Sequence, residues 1–382
     1  MLLNRYYDGV EIHREDKIIY ARFLSPHRVI STCPAAGGVR EDIEVLYNHQ
    51  SCEPTKHQTM GDRIIKILPT QYRQEVATRH DLPADRCATL GTAANMRCAG
   101  FSSRAFRELE VVAVCTGGVE TNGGRVGDPA SVYESDGRFE RLREAPPTQG
   151  TINTMLFINR ELTQGALVRC IVTATEAKTA ALQQLSVPSR YSTGLATGTG
   201  TDQIGVACRL GDIHPLRSAG KHSKLGELIG VTVQEAIEET LSRQNGLTPS
   251  SRCSVIAHLE RFGATQKDAV AQINALLSDE DAQLLKNNFE SMNHDPLVVA
   301  AVVALVHLRD QITWGTIPQS CLPDLLYTMT AQIAASVSGR YDQFDQYRRL
   351  LYEKEPHLNG NDLTHIIYIA LASGFADKWR FE

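Results

Sequence analysis

Glycine partitions this chain. Of its 28 glycines, 22 lie before residue 243 and six after it. Glycine is costly inside helices and permissive in turns, so the architecture must change near that point. Ahead of it, short β-favouring runs alternate with Gly/Thr/Asn turns; behind it, one helical pattern follows another. With 382 residues, 42% of them hydrophobic and 22% charged, the chain can bury a sizeable core, which excludes a disordered or fibrous protein. A length prior of roughly 150 residues per domain then points to two domains. These are expected as residues 1–242 and 243–382, with SRQNGLTPSS at 242–251 as the linker.

In the first part, runs at 10–12 and 17–23 flank charged EIHRED as a hairpin or meander, and 28–32, 108–114, 152–158 and 204–208 read as further strands. Residues 62–79 have a helical pattern that Pro69 should break or kink. Residues 162–185 predict a long helix with Thr163 as N-cap, apolar nearly all round and therefore buried; 225–241 predict a closing helix. Strands mixed with helices make this an α/β or α+β layered domain with a mixed sheet. The second part is expected to be all-α. Its helix starts are marked by Thr265 with Asp268, Ser278 with Asp281, and Asp295 with Pro296, and apolar helical stretches cover 297–308, 325–337 and 363–372. From residue 243 on, 12 basic and 16 acidic residues leave a charge of −4, and no chemical motif stands out. An accessory or oligomerisation role, with a possible homo-oligomer, is the expectation there.

Composition excludes several function classes. A net charge of −5 leaves no electrostatic footprint for nucleic acid or anionic membrane. The longest clean apolar run, 297–306, is short of the roughly 20 residues that span a bilayer. The first residues turn charged at once, without a signal-peptide stretch. Nine cysteines without a CxxC pair suggest neither a disulfide framework nor a zinc site. A reduced, cytoplasmic protein is expected.

The familiar catalytic signatures are missing: GxSxG, HExxH, the P-loop and GxGxxG. A corrinoid-binding DxHxxG loop fails too, since Arg217 follows Asp212 and His214 where glycine is needed. What stands out is a set of polar clusters: GTIN at 150–153, ATEAKT at 174–179, GTGTD at 198–202 and KHSKLGELIG at 221–230. In GTGTD, glycines admit backbone N–H groups to a ligand, threonines add donors, and Asp202 ends the turn before a strand. The same loop allows a weaker reading as a phosphate cradle. In ATEAKT, charges interrupt an apolar helix, and burying them demands a partner or a pocket. At about 100° per residue Glu176 and Lys178 point apart, while Thr175, Lys178 and Thr179 share a face. Asn153 offers an amide donor. His222, between Lys221 and Lys224, suits a neutral base if those charges are close. His49 and His57 flank Cys52 and Glu53, but their spacing matches no metal motif. A faint echo links ATLGTAAN at 88–95 with ATGTGTD at 196–202, as two half-units would.

GGV at 37–39, GTIN, ATEAKTAAL, GTGTDQIGVA and KLGELIG together resemble the adenosylcobinamide amidohydrolase (CbiZ) family over roughly residues 22–237. The helical tail is outside that resemblance. The resemblance implies hydrolysis of the amide that joins the aminopropanol arm to the corrin ring of adenosylcobinamide, giving adenosylcobyric acid and aminopropanol. The cobalt-containing corrinoid is then substrate, and no cofactor or metal is required.

Amide hydrolysis needs a base for water, donors for the oxyanion and an acid for the leaving amine. Asp202 or Glu176 is the expected base, Asn153 and Lys178 the oxyanion donors, and His222 the acid. Gly37, Gly38, Thr151, Thr175, Gly198, Thr199, Gly200 and Thr201 are the expected substrate contacts, with Thr199 and Thr201 orienting water. The glycine loops at 37–38 and 117–127 would frame the cleft. Cleavage before Thr151 would instead free a threonine nucleophile. Two rivals come from other classes: a corrinoid sensor or carrier without catalysis, and a nucleotide-binding enzyme that uses GTGTD as its cradle.

Overall fold

The computed structural model describes residues 1–51, 69–143, 150–354 and 363–380, in two compact units, Met1–Thr248 and Pro249–Glu382.

The first unit is built on two sheets. One has the order β1-β2-β3-β6-β7: β1 Leu2–Tyr6, β2 Val10–Glu15, β3 Ile18–Phe23, β6 Val45–Gln50 and β7 Cys87–Thr92. The other has the order β5-β4-β15-β13-β9-β8: β5 Gly38–Arg40, β4 His27–Ser31, β15 Gln203–Arg209, β13 Ile152–Ile158, β9 Leu109–Gly117 and β8 Gly100–Phe106. Both are mixed, with β6 parallel to β7 and β13 parallel to β15. Strand alternation sorts the side chains into layers. Ile19, Ala21, Leu46 and Leu90 from the first sheet meet Val112, Val114, Met155 and Phe157 from the second. The other face of the first sheet, with Ile18, Tyr20, Val45 and Tyr47, packs on Val76 and Ala77 of helix α1 (Pro69–Arg79). The other face of the second is covered by α2 (Gln164–Gln184) and α3 (Lys224–Asn245). The layering is therefore helix, sheet, sheet, helix. Two small ribbons complete the unit: β10 (Gly123–Gly124) pairs with β14 (Gly198–Thr199), and β11 (Val132–Ser135) with β12 (Arg138–Arg141).

The strands expected from the sequence are present, and β13 spans the predicted residues. Helix α1 is described from Pro69; residues 62–68 of the predicted helix, and with them the expected break or kink, lie outside the described residues. Thr163 caps α2 as expected, its hydroxyl accepting from the Ala166 N–H at 3.3 Å. The helix, however, is not buried all round: Val168 and Val172 face solvent, because only one side meets the sheet and α3. The expected linker is also shorter than read. α3 runs through to Asn245 and stops at Gly246 in the left-handed conformation, φ 65°. The half-unit echo does not describe equivalent structures either, since residues 88–92 belong to strand β7 while 196–202 form the turn before β15.

The second unit is helical, with a core of its own that includes Leu305, Leu326, Tyr347, Ile367 and Phe375. Its predicted caps form: Thr265 accepts from Asp268 N–H at 3.2 Å, Ser278 from Asp281 N–H at 3.2 Å, and Asp295 from Leu297 N–H at 2.8 Å. The helix following Asp295 covers Pro296–Thr313, longer than the apolar run read from sequence and enough by length and composition to cross a membrane. Its Val298, Val302 and Leu305 are nevertheless buried in the unit's core.

Candidate active site

A cleft of about 360 Å³ opens where the two sheets end together. Thr89, Gly91, Thr92 and Ala93 come from the end of β7 and Ser51 from the residue after β6. Thr151 comes from just before β13 and Thr201 from the turn before β15, joined by Gly150 and Gln203. Pro69 and Tyr72 of α1, with Pro34 and Ala35 after β4, complete it. The described lining presents hydroxyls, amides and apolar groups, and no carboxylate or histidine.

Its floor is a buried polar seam that ties the sheets together. Asn153 is fully buried and donates both amide hydrogens, to Asn48 Oδ1 and to the Gly91 carbonyl, each at 2.9 Å. Its own oxygen accepts from Gln203 N–H at 3.2 Å, while the Thr151 hydroxyl beside it gives its one hydrogen to the Thr201 carbonyl at 2.7 Å. Asn48 continues the seam to the Thr116 hydroxyl at 2.6 Å. An amide with both N–H groups spent cannot also stabilise an oxyanion, so Asn153 is a cross-sheet tie and not the expected donor. Beside it, Gln203 Oε1 accepts from Gly91 N–H at 2.8 Å, which leaves its Nε2 hydrogens as what it can offer to the cleft.

Asp202 is a second tie, just behind the cleft. Its carboxylate accepts from Ile152 N–H at 2.8 Å, Thr199 N–H at 3.0 Å and the Thr199 hydroxyl at 2.6 Å, and pairs with Lys178 Nζ. Both charged side chains of the pair are about 15% exposed, 15% for Lys178 and 14% for Asp202. Four donors occupy the lone pairs of the carboxylate, so Asp202 is not free to act as the expected base, and Lys178, which spends one of its three N–H donors on it, is not among the described lining of the cleft. The same contacts overturn the phosphate cradle: the donors of the GTGTD loop already hold an anion, the loop's own. Gly198 is needed because a Cβ there would overlap Asp202 Oδ2 and approach Lys178 Nζ to 2.8 Å. Gly150 sits at φ 140°, and its carbonyl accepts from Asn122 Nδ2 at 2.8 Å and the Thr201 hydroxyl at 3.1 Å.

The remaining expected residues fall away from the cleft. Glu176 is exposed on the outer side of α2, 3.2 Å from Lys221 Nζ. Lys224 is likewise taken by Glu227 at 2.6 Å, so neither lysine is held for His222, which is exposed before the Ser223 cap of α3. Thr175 is exposed, and its carbonyl accepts from the Thr179 hydroxyl at 3.0 Å. Gly37 closes the turn after β4, where a Cβ would crowd the Cys33 and Ser31 carbonyls, and Gly38 adopts φ 85°. The cleft takes Pro34 and Ala35 from that turn instead, and from the 117–127 loop it takes nothing directly. Thr199 and Gly200 belong to the Asp202 turn without lining the cleft, whereas Thr151 and Thr201 do line it. His57 lies outside the described residues, and His49 faces Tyr72. Sequence reasoning missed Tyr72, Thr89, Thr92 and Gln203. A signal existed for three of them, because ATLGTAAN and the residue after GTGTD stood among the unusual segments.

An uncharacterised protein of Methanocaldococcus jannaschii is 32% identical over 237 residues, covering 60% of this chain and 88% of the relative. A family model described as adenosylcobinamide amidohydrolase matches residues 3–249, which takes in all but the first two residues of the two-sheet unit. The chain belongs to the adenosylcobinamide amidohydrolase family.

Proposed function

We propose that this protein hydrolyses the amide joining the aminopropanol arm to the corrin ring of adenosylcobinamide, releasing adenosylcobyric acid and aminopropanol. What supports this is that GTIN and GTGTDQ, two of the segments that carry the family resemblance, meet at one cleft through Thr151, Thr201 and Gln203. The cleft's volume, about 360 Å³, suits a side arm and its amide, while the much wider corrin stays at the mouth against the exposed Pro34 and Pro69. In the reaction, the water oxygen forms the new C–O bond, one of the water's protons passes to the departing nitrogen as the C–N bond breaks, and the other stays with the carboxyl group or is released on its ionisation. Thr151 and Thr201 hold the water in this scheme, and the Gln203 amide donates to the carbonyl oxygen as charge develops. Asp202 and Lys178 act through the backbone of Ile152 and Thr199, as positioning residues.

A second reading, a corrinoid sensor or carrier, is favoured by the neutral character of the described lining. Incubation with adenosylcobinamide followed by assay of free aminopropanol separates the two. Release proportional to protein is the expected result. Tight corrinoid binding with no release over many hours would replace the hydrolase with the carrier.

A further inference from the structure

Glycine inside a strand packs nothing and weakens the pairing, so each one calls for a reason. For most glycines of the described strands the reason is steric. Gly38 has a positive φ, and a Cβ at Gly100, Gly117, Gly123, Gly124, Gly198 or Gly205 would come within 3.2 Å of a neighbouring atom. Gly91, the fifth of six residues in β7, has neither reason. Its φ lies outside the left-handed region and, its chain neighbours apart, no described atom is within 4 Å of where its Cβ would be.

That open position belongs to the cleft, which Gly91 lines. Along β7, Ala88 and Leu90 turn into the core between the sheets, and Cys87 turns to the side covered by α1. Alternation therefore aims the missing side chain of residue 91 to the α1 side, where Pro69 and Tyr72 also line the cleft. The backbone there is held by the second sheet. Gly91 N–H is donated to Gln203 Oε1 at 2.8 Å, and its carbonyl accepts from Asn153 Nδ2 at 2.9 Å. With both polar groups spent, what Gly91 offers a ligand is its Cα and hydrogens, a surface for an uncharged stretch of atoms lying close against the strand.

We infer that Gly91 sets which arms the cleft admits: the chain of atoms joining the corrin ring to aminopropanol lies against its Cα, in the space that a side chain would take. The inference rests on the cleft being the seat of that arm, and it makes Gly91 a specificity-determining residue.

Gly91→Ala and Gly91→Val, which add one and three carbons at that position, test it. Both should fold and melt at, or up to about 3 °C above, the midpoint of the unaltered protein, because the φ suits an L residue and glycine is a poor strand former. With adenosylcobinamide, kcat/KM for aminopropanol release should fall about tenfold for Gly91→Ala and about 10²-fold for Gly91→Val. Equilibrium dialysis with the same corrinoid should show Kd rising in that order. A glycine that served only the fold would not give a loss of function graded by added volume at unchanged stability. If kcat/KM and Kd of Gly91→Val both stay within about threefold of the unaltered values, the inference is overturned and the hydrolase reading stands. A Gly91→Ala protein melting about 5 °C or more lower has the same consequence, since the glycine then serves the fold. Binding without turnover by the unaltered protein overturns the hydrolase reading alone, and the Kd values of the two variants then decide the inference. Neither binding nor turnover overturns both.

Discussion

Asp202 illustrates how an unusual residue can be essential without being reactive. Its carboxylate is engaged by Ile152, Thr199 and Lys178, and each of those contacts fixes backbone beside the cleft. Asp202→Asn replaces one acceptor oxygen by a donor that faces Lys178 and backbone N–H groups. Both stability and turnover should therefore fall, stability by about 3 kcal/mol as for a broken buried pair, and turnover by tenfold or more. Glu176→Gln should leave both unchanged, since its pair with Lys221 has side chains 44% and 60% exposed and contributes little. Thermal melts and aminopropanol release check the two side by side; an unchanged melt for Asp202→Asn would contradict the anchoring role. Sequence alone marked Asp202, Asn153 and Lys178 as out of the ordinary, and all three lie within one polar seam or beside it. It could not say which way they face. A buried polar residue serving a tie and one serving a substrate carry the same letter, and only the partners distinguish them.

At the scale of elements, the motif KLGELIG has two glycines with opposite demands. Gly226 lies in the first turn of α3, where a Cβ would overlap the carbonyl oxygens of Gly220 and Ala219. Gly230, one turn on, has open space where its Cβ would be. Gly226→Ala should thus destabilise the protein by about 2 kcal/mol or more, through a backbone shift at the helix start. Gly230→Ala should stabilise it by about 0.5–1 kcal/mol, the helix-propensity difference. Equal denaturation midpoints for the two would show that the loop at 219–220 yields. Helices were largely legible because caps and 3.6-residue patterns are local. Strands β6 and β7 were not: VLYNHQ is buried at every position, so the alternation that marks a half-buried strand is missing. These are the strands that bring Asn48, His49 and Gly91 to the site.

Across the whole molecule, the two units have separate cores among the described residues. The clusters of the first unit draw on residues up to Leu247, and that of the second begins at Cys253. Each unit thus meets the main condition for folding by itself. Every described residue of the cleft and of the ties beneath it lies in Met1–Thr248, and the family match covers residues 3–249. The cut has to respect the end of α3, because Asn245 Oδ1 accepts from Val119 N–H at 3.3 Å and Leu247 packs on the core. A chain of residues 1–248 should therefore fold cooperatively and release aminopropanol with kcat/KM within about threefold of the full chain, since no interaction at the reacting centre is removed. A shorter chain ending before Asn245 should be less stable by the loss of both contacts. If the folded 1–248 chain bound adenosylcobinamide but did not turn it over, the tail would have to supply a group to the reaction, and the division of labour between the units would need to be redrawn.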